Sequence, residues 1–111
     1  MNSEAQSHIL QLAEMFRLMG DPTRLKIIVA CLGGPRAVGE IAAETGASPS
    51  LVSHHLRLLR AARLLRKTRQ GKQAFYAPDD EHISHMLVDM LHHVGEPDDE
   101  ANDEAGQEDE R

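Results

Sequence analysis

Two dipeptides constrain this chain more than anything else in it: Asp21-Pro22 and Ser48-Pro49. In each, a short side chain able to accept a backbone N–H precedes a proline whose fixed φ suits the first helical position. Each therefore starts a helix at a defined residue. Glycines stop the helices around them, at Gly20, at Gly33-Gly34-Pro35 and at Gly46. The punctuation cuts 111 residues into short helices, and a chain of that length makes one domain.

Between these marks the apolar residues keep helical periods. Ser3-Glu4-Ala5-Gln6 has the form of a capping box with Ser3 as N-cap, and Ile9, Leu12, Ala13, Phe16 and Met19 follow at three- and four-residue steps. In the second helix Leu25, Ile28, Val29 and Leu32 make the face expected to be buried. A third helix runs from Val38 to Thr45 and a fourth from the Ser48 cap to Ala62, joined by Gly46-Ala47-Ser48. Two short helices with that turn have the dimensions of a helix-turn-helix. Val52, Leu56 and Leu59 of the fourth helix face inward, while Ser53, Arg57 and Arg60 form another stripe. Ser48, Ser50 and His54 belong with that polar stripe, and His55, beside Leu56, belongs with the packing face. Leu64 to Thr68 and Gln73 to Ala77 form two strands, with Arg69-Gln70-Gly71-Lys72 as their turn. This hairpin reads as a wing that touches phosphate or the minor groove through Arg66, Lys67, Arg69, Gln70 and Lys72.

The last helix, Asp80 to Val94, carries Ile83, Met86, Leu87, Met90, Leu91 and Val94, an apolar stripe wider than one small domain needs. Two phenylalanines and one tyrosine build only a thin core. Covering the stripe with a second copy, with help from the first helix, is the remedy. The expected fold class is mainly α with a small β-hairpin: a winged helix-turn-helix of five helices and a two-stranded wing. It is homodimeric through the first and last helices. The domain spans 1–95, and 96–111 is an acidic disordered tail.

The formal net charge of −6 hides a segregation. Residues 95–111 hold nine acids and one arginine, with no aromatic and no branched aliphatic side chain, a composition that cannot bury a core. Residues 45–78 hold no acid at all and carry Arg57, Arg60, Arg63, Arg66, Lys67, Arg69 and Lys72. A single-sign block on an otherwise mixed domain is the footprint of a nucleic-acid face, here double-stranded DNA read in the major groove. No stretch suits a membrane span or a signal peptide, and Cys31, being alone, forms no internal disulfide. The setting expected is cytoplasmic. There is no HExxH motif and no nucleophile with a histidine base, so an enzyme is not expected. Nor is a nucleotide cofactor.

His82 and His93 lie eleven residues apart, which puts both on one helix face about 16 Å apart along the axis. Bonds of about 2 Å cannot span that distance. Two such helices packed antiparallel across a two-fold axis bring His82 of one chain to His93 of the other, with Asp80 and Glu96 beside them. Taken singly, Asp80 is also an N-cap and Glu96 could belong to the tail. His85 and His92 stand nearly on one face with Asp89 between them. They either add ligands for a six-coordinate ion or support the others from outside the coordination sphere, and His85 with Asp89 also has the spacing of an intrahelical hydrogen bond. His8 lies within reach only if the first helix packs near the partner. Oxygen and nitrogen donors suit Zn2+ as effector, with Ni2+ or Co2+ as competitors.

The order of elements, with Leu18-Met19-Gly20-Asp21-Pro22-Thr23-Arg24-Leu25, Val52-Ser53-His54-His55-Leu56-Arg57-Leu58-Leu59, Arg69-Gln70-Gly71-Lys72 and the terminal Asp-x-His and His-x-x-Glu, resembles the ArsR/SmtB family of dimeric winged-helix repressors over residues 8–96. The resemblance implies a dimer that holds an operator without metal and leaves it when an inducer binds. Asp80, His82, His93 and Glu96 match the family's zinc-responsive pattern position by position. The family's metal-thiolate sites need cysteines where this chain has Arg36-Ala37-Val38-Gly39-Glu40. Two other readings stay open: a winged-helix regulator, or an activator, whose metal site is structural or vestigial, and a small metal-buffer protein.

Overall fold

A computed structural model describes residues 1–97; the expectation of a disordered tail lies almost wholly outside them. The elements in order are α1 (Ser3–Met19), α2 (Pro22–Ala30), α3 (Val38–Thr45), α4 (Pro49–Ala61), β1 (Leu65–Gln70), β2 (Gln73–Pro78) and α5 (Glu81–Gly95). The five helices and the antiparallel hairpin expected from the sequence are all present.

The caps fall where short polar side chains allow. Asp21 accepts from the Arg24 N–H at 2.9 Å ahead of Pro22, and Ser48 Oγ accepts from the Leu51 N–H at 3.1 Å ahead of Pro49. The first cap moves: Asn2, not Ser3, is the N-cap of α1, its Oδ1 accepting from the Ala5 N–H at 2.7 Å. Asparagine caps as well as serine, and capping one residue earlier gives the helix one more residue. Gly46 closes α3 at φ +78°, in the left-handed region where a side chain is disfavoured.

α4 ends differently. The Leu64 N–H donates to the Leu59 carbonyl and the Arg63 N–H to the Arg60 carbonyl, the paired bonds of a Schellman motif. The left-handed position is Arg63 at φ +62° rather than the usual glycine. Leu59 and Leu64, both fully buried, supply the apolar contact that goes with the motif.

Two boundaries differ from expectation. The strands pair from Leu65↔Pro78 to Gln70↔Gln73, so the turn is Gly71-Lys72 rather than four residues. Gly71 at φ +63° opens a two-residue loop, the length whose twist matches the flanking strands, and pairing continues up to it. In α2 the buried residues are Ile27, Ile28 and Ala30, while Leu25 and Val29, and Leu32 just beyond the helix end, are half-buried. α2 packs against α1, α3 and α4 together, so three neighbours set its inner face. One contact had no sequence signal: Arg36 pairs with Tyr76 through N–H···O bonds of 3.0 and 2.8 Å, tying the wing to the α2–α3 connection.

The core gathers Leu18, Met19, Ile27, Ile28, Cys31, Ile41, Val52, Leu56, Leu59, Leu64, Leu65, Tyr76 and Leu87. Two helices are left partly outside it. α1 exposes Ile9, Leu10, Leu12 and Phe16, and α5 exposes Val88, Met90, Leu91 and Val94. Ile83, Met86 and Leu87 anchor the N-terminal half of α5 to the core; every residue from Val88 to Glu96 is exposed.

Candidate nucleic-acid interface and metal centre

α4 turns Val52, His55, Leu56 and Leu59 into the core. The opposite face is centred on Ser50, His54 and Arg57, all exposed and spaced by four and three residues. Arg60 is exposed on one flank of that face and Ser53, on the same flank, is half-buried. Ser48, exposed at the helix start, keeps its hydroxyl hydrogen free to donate while its oxygen caps the helix. On the hairpin, Arg66, Arg69, Gln70 and Lys72 are exposed and Lys67 is half-buried. Strand alternation sends Arg66 to one face and Lys67 with Arg69 to the other. Arg66 leans on the body of the protein, donating to the Asp79 carbonyl at 3.1 Å, and Arg69 donates to the Lys72 carbonyl at 3.5 Å.

The ion pairs among the described residues are Arg17–Glu14, Arg36–Glu44 and His82–Asp80. None involves a cation of the acid-free segment 45–78. Among the described residues those charges have no carboxylate partner to give up when phosphate approaches, so their field acts outward.

The metal-ligand candidates divide between the two ends of α5. At its start Asp80 is the N-cap, Oδ1 accepting from the His82 N–H at 3.0 Å and the Ile83 N–H at 3.2 Å. The other oxygen, Oδ2, lies 3.5 Å from His82 Nδ1. The Ile83 N–H, with a smaller contribution from the His82 side chain, holds the Asp80 carboxyl below the usual carboxylate range. The group is therefore anionic at neutral pH. Two bonds of about 2 Å meeting at a tetrahedral angle need donors about 3.3 Å apart, so this pair fits one coordination sphere. The His82 side chain is 95 % exposed.

At the far end His93 and Glu96 are both exposed, Glu96 capping the helix with its N–H on the His93 carbonyl at 3.3 Å. The structure thus brings Asp80 to His82 and leaves His93 and Glu96 a helix length away. Among the described residues no three His, Cys, Asp or Glu side chains of one chain gather as a metal site. His85, Asp89 and His92 are exposed on α5, and no hydrogen bond joins His85 to Asp89. His8 is exposed on α1.

Asp80 and His82 border a cleft of about 640 Å3 that α1 walls with Leu10 and Met15, and the end of α4 with Ala61, Ala62 and Arg63. The strained Arg63 joint and the candidate ligands therefore share one cavity, which the sequence did not reveal. Cys31 is fully buried, and burial pushes its thiol up to about 12. It is no thiolate at neutral pH. The sequence also missed Leu51, whose side chain is exposed on the first turn of α4. Its position one residue before the inward Val52, about 100° away on the helix, was the available signal.

Residues 21–67 match the family model described as bacterial regulatory protein, arsR family. The chain is 35 % identical over 88 residues to a transcriptional repressor SmtB homolog of Synechocystis sp., covering 79 % of this chain and 67 % of the relative. Among solved structures it is similar to the cadmium metal-sensor CMTR of Mycobacterium tuberculosis, with a TM-score of 0.66, 38 % identity and coverage of 78 % of this chain and 90 % of that one. It is also similar to the homodimeric winged helix-turn-helix domain of Mb0332 from Mycobacterium bovis, with a TM-score of 0.77, 22 % identity and coverage of 98 % and 97 %. That last likeness concerns the fold.

Proposed function

The chain belongs to the arsR family of bacterial regulatory proteins, and on that footing we propose a dimeric, zinc-responsive repressor that releases its operator when the ion binds. Regulators of this family bind DNA and are not enzymes. The site of action proposed is the bacterial cytoplasm, where the DNA is; no helix among the described residues is long and apolar enough to cross a membrane.

One observation carries the reading: α5 holds Asp80 beside His82 at its start and exposes His93 and Glu96 at its end, and its C-terminal half leaves Val88, Met90, Leu91 and Val94 uncovered among the described residues. A second α5, antiparallel about a two-fold axis, covers that half and places His93 and Glu96 of the partner subunit against Asp80 and His82. A divalent ion held there supplies a cross-subunit link. Two carboxylates and two imidazoles, with no sulfur, suit Zn2+, with Ni2+ or Co2+ as competitors. His85 and His92 are extra donors for a six-coordinate ion.

The DNA face comprises Ser48, Ser50, Ser53, His54, Arg57 and Arg60 on α4 with Arg66, Lys67, Arg69, Gln70 and Lys72 on the wing. Four donors from two chains fix one crossing geometry of the α5 pair, and the two recognition helices hang from that pair. A geometry that moves them off successive major grooves favours the unbound state. His93 of the partner subunit passes the change on: its ring N–H donates to a carbonyl in the Ala61–Arg63 segment, which lines the same cleft as Asp80 and His82. Reciprocity requires DNA to weaken the ion by the same factor, with couplings of about 1–3 kcal/mol ordinary for such switches.

Titrating Zn2+ into the protein–operator complex at fixed ionic strength tests the scheme. Operator affinity falls as two sites per dimer fill; an affinity that stays constant removes the sensor reading. The capping role of Asp80 favours a second reading, in which the ion is structural. The double variant His82→Ala, His93→Ala separates the two: a dimer that folds and binds DNA but ignores Zn2+ supports sensing, and collapse of the dimer supports a structural ion.

A further inference from the structure

Large apolar side chains that stand exposed among the described residues fall into a pattern. Apart from the terminal Met1, they lie on α1 and α5, the helices assigned to the proposed dimer contact, with one exception. The exception is Leu51, 42 % exposed on α4. It is the third residue of the helix, next to Ser50 and about 60° around from His54, in the turn that leads toward a base edge. Its backbone is fixed, because its N–H is the one that Ser48 Oγ accepts.

Leu51 sits at the edge of the DNA-facing side of α4, above the half-buried Leu58, and the other exposed residues of that side are hydroxyls, an imidazole and guanidinium groups. These read hydrogen-bond donors and acceptors on base edges and phosphates, and none is matched to an apolar feature. The major groove offers one such feature, the C5-methyl group of thymine. A leucine held in water on the free protein and set against that methyl in the complex removes apolar surface from both.

We propose that Leu51 is a specificity-determining residue that selects a thymine in each half-site by packing on its 5-methyl group. The proposal rests on the reading of α4 as the DNA-reading helix. It adds an apolar contact to the thymine methyl beside the hydrogen bonds of the polar residues on that helix.

The test begins with sites selected by the full-length dimer from a pool of random duplexes. Each thymine of a selected site is then replaced by deoxyuridine, which removes the methyl and nothing else. Affinities are measured for the wild type and for Leu51→Ala, an exposed change to a good helix former. In the wild type, one position per half-site loses about three- to fivefold in affinity per methyl removed. Leu51→Ala loses a similar factor on the thymine site and shows no further loss with deoxyuridine there, while losses at other positions and the thermal melt stay as in the wild type. Equal deoxyuridine penalties in both proteins, or a Leu51→Ala variant with unaltered affinity, overturn the assignment to Leu51. A selection that enriches no common sequence overturns the DNA reading itself, and the proposal with it.

Discussion

His54 and His55 are neighbours in sequence with opposite surroundings: the first is exposed, and the second is 9 % exposed with no hydrogen-bond partner for Nδ1. Burial, chiefly, and the Arg24 and His54 charges push His55 below the ordinary histidine value, against the pull of Asp21. His55 is therefore neutral in the folded protein at pH 7. The unfolded chain takes up its proton at about pH 6.5, while the folded one resists until lower pH. Stability tied to this residue is thus intact above about pH 6.5 and declines as pH falls toward the folded value. Metal-free thermal melts between pH 7.5 and 5 should fall more steeply for the wild type than for His55→Gln. Parallel curves would show that another group sets the acid limb.

Capping and the proposed ligation meet on α5 in a single residue. Asp80 uses one carboxylate oxygen to satisfy two N–H groups at the helix start and leaves the other beside His82. The two roles respond differently to substitution. Asparagine caps as well as aspartate but brings no charge to a cation; alanine does neither. Asp80→Asn should melt with the wild type and hold Zn2+ at least about tenfold more weakly, and Asp80→Ala should lose both metal affinity and helix stability. Circular dichroism and competition with a chelator measure the two properties separately. An asparagine variant with wild-type metal affinity would take Asp80 out of the ligand set. The cap also explains why Asp80 alone was ambiguous in the sequence: one residue type serves both tasks.

For the whole molecule, the proposed dimer is the scale that matters. Among the described residues, Phe16 on α1 stays 51 % exposed and Val94 on α5 76 % exposed. A charge placed there would be buried without a partner in the proposed dimer. Phe16→Glu and Val94→Glu should each weaken dimerisation by at least about a hundredfold, seen as monomer in sedimentation equilibrium at concentrations where the wild type is dimeric. Both should also lose tight metal and operator binding if, as proposed, each site draws donors from two chains. A charged variant that stays dimeric would move the interface elsewhere.

What the residues determined alone were features set within about four positions of the chain: the Asp21 and Ser48 caps, the glycine stop at Gly46, and the inward stripe of α4 stepping by four and three. Hydrogen bonds of that range depend on little beyond local side chains, so they can be read in order. The tertiary structure decided the rest. It chose which face of α2 is buried, carried the hairpin pairing to Gln70↔Gln73, paired Arg36 with Tyr76, and placed Arg63 in a left-handed joint beside the Asp80 cleft. It left Leu51 outside. Burial is the summed demand of several elements distant in sequence, and no local pattern records how those demands are shared.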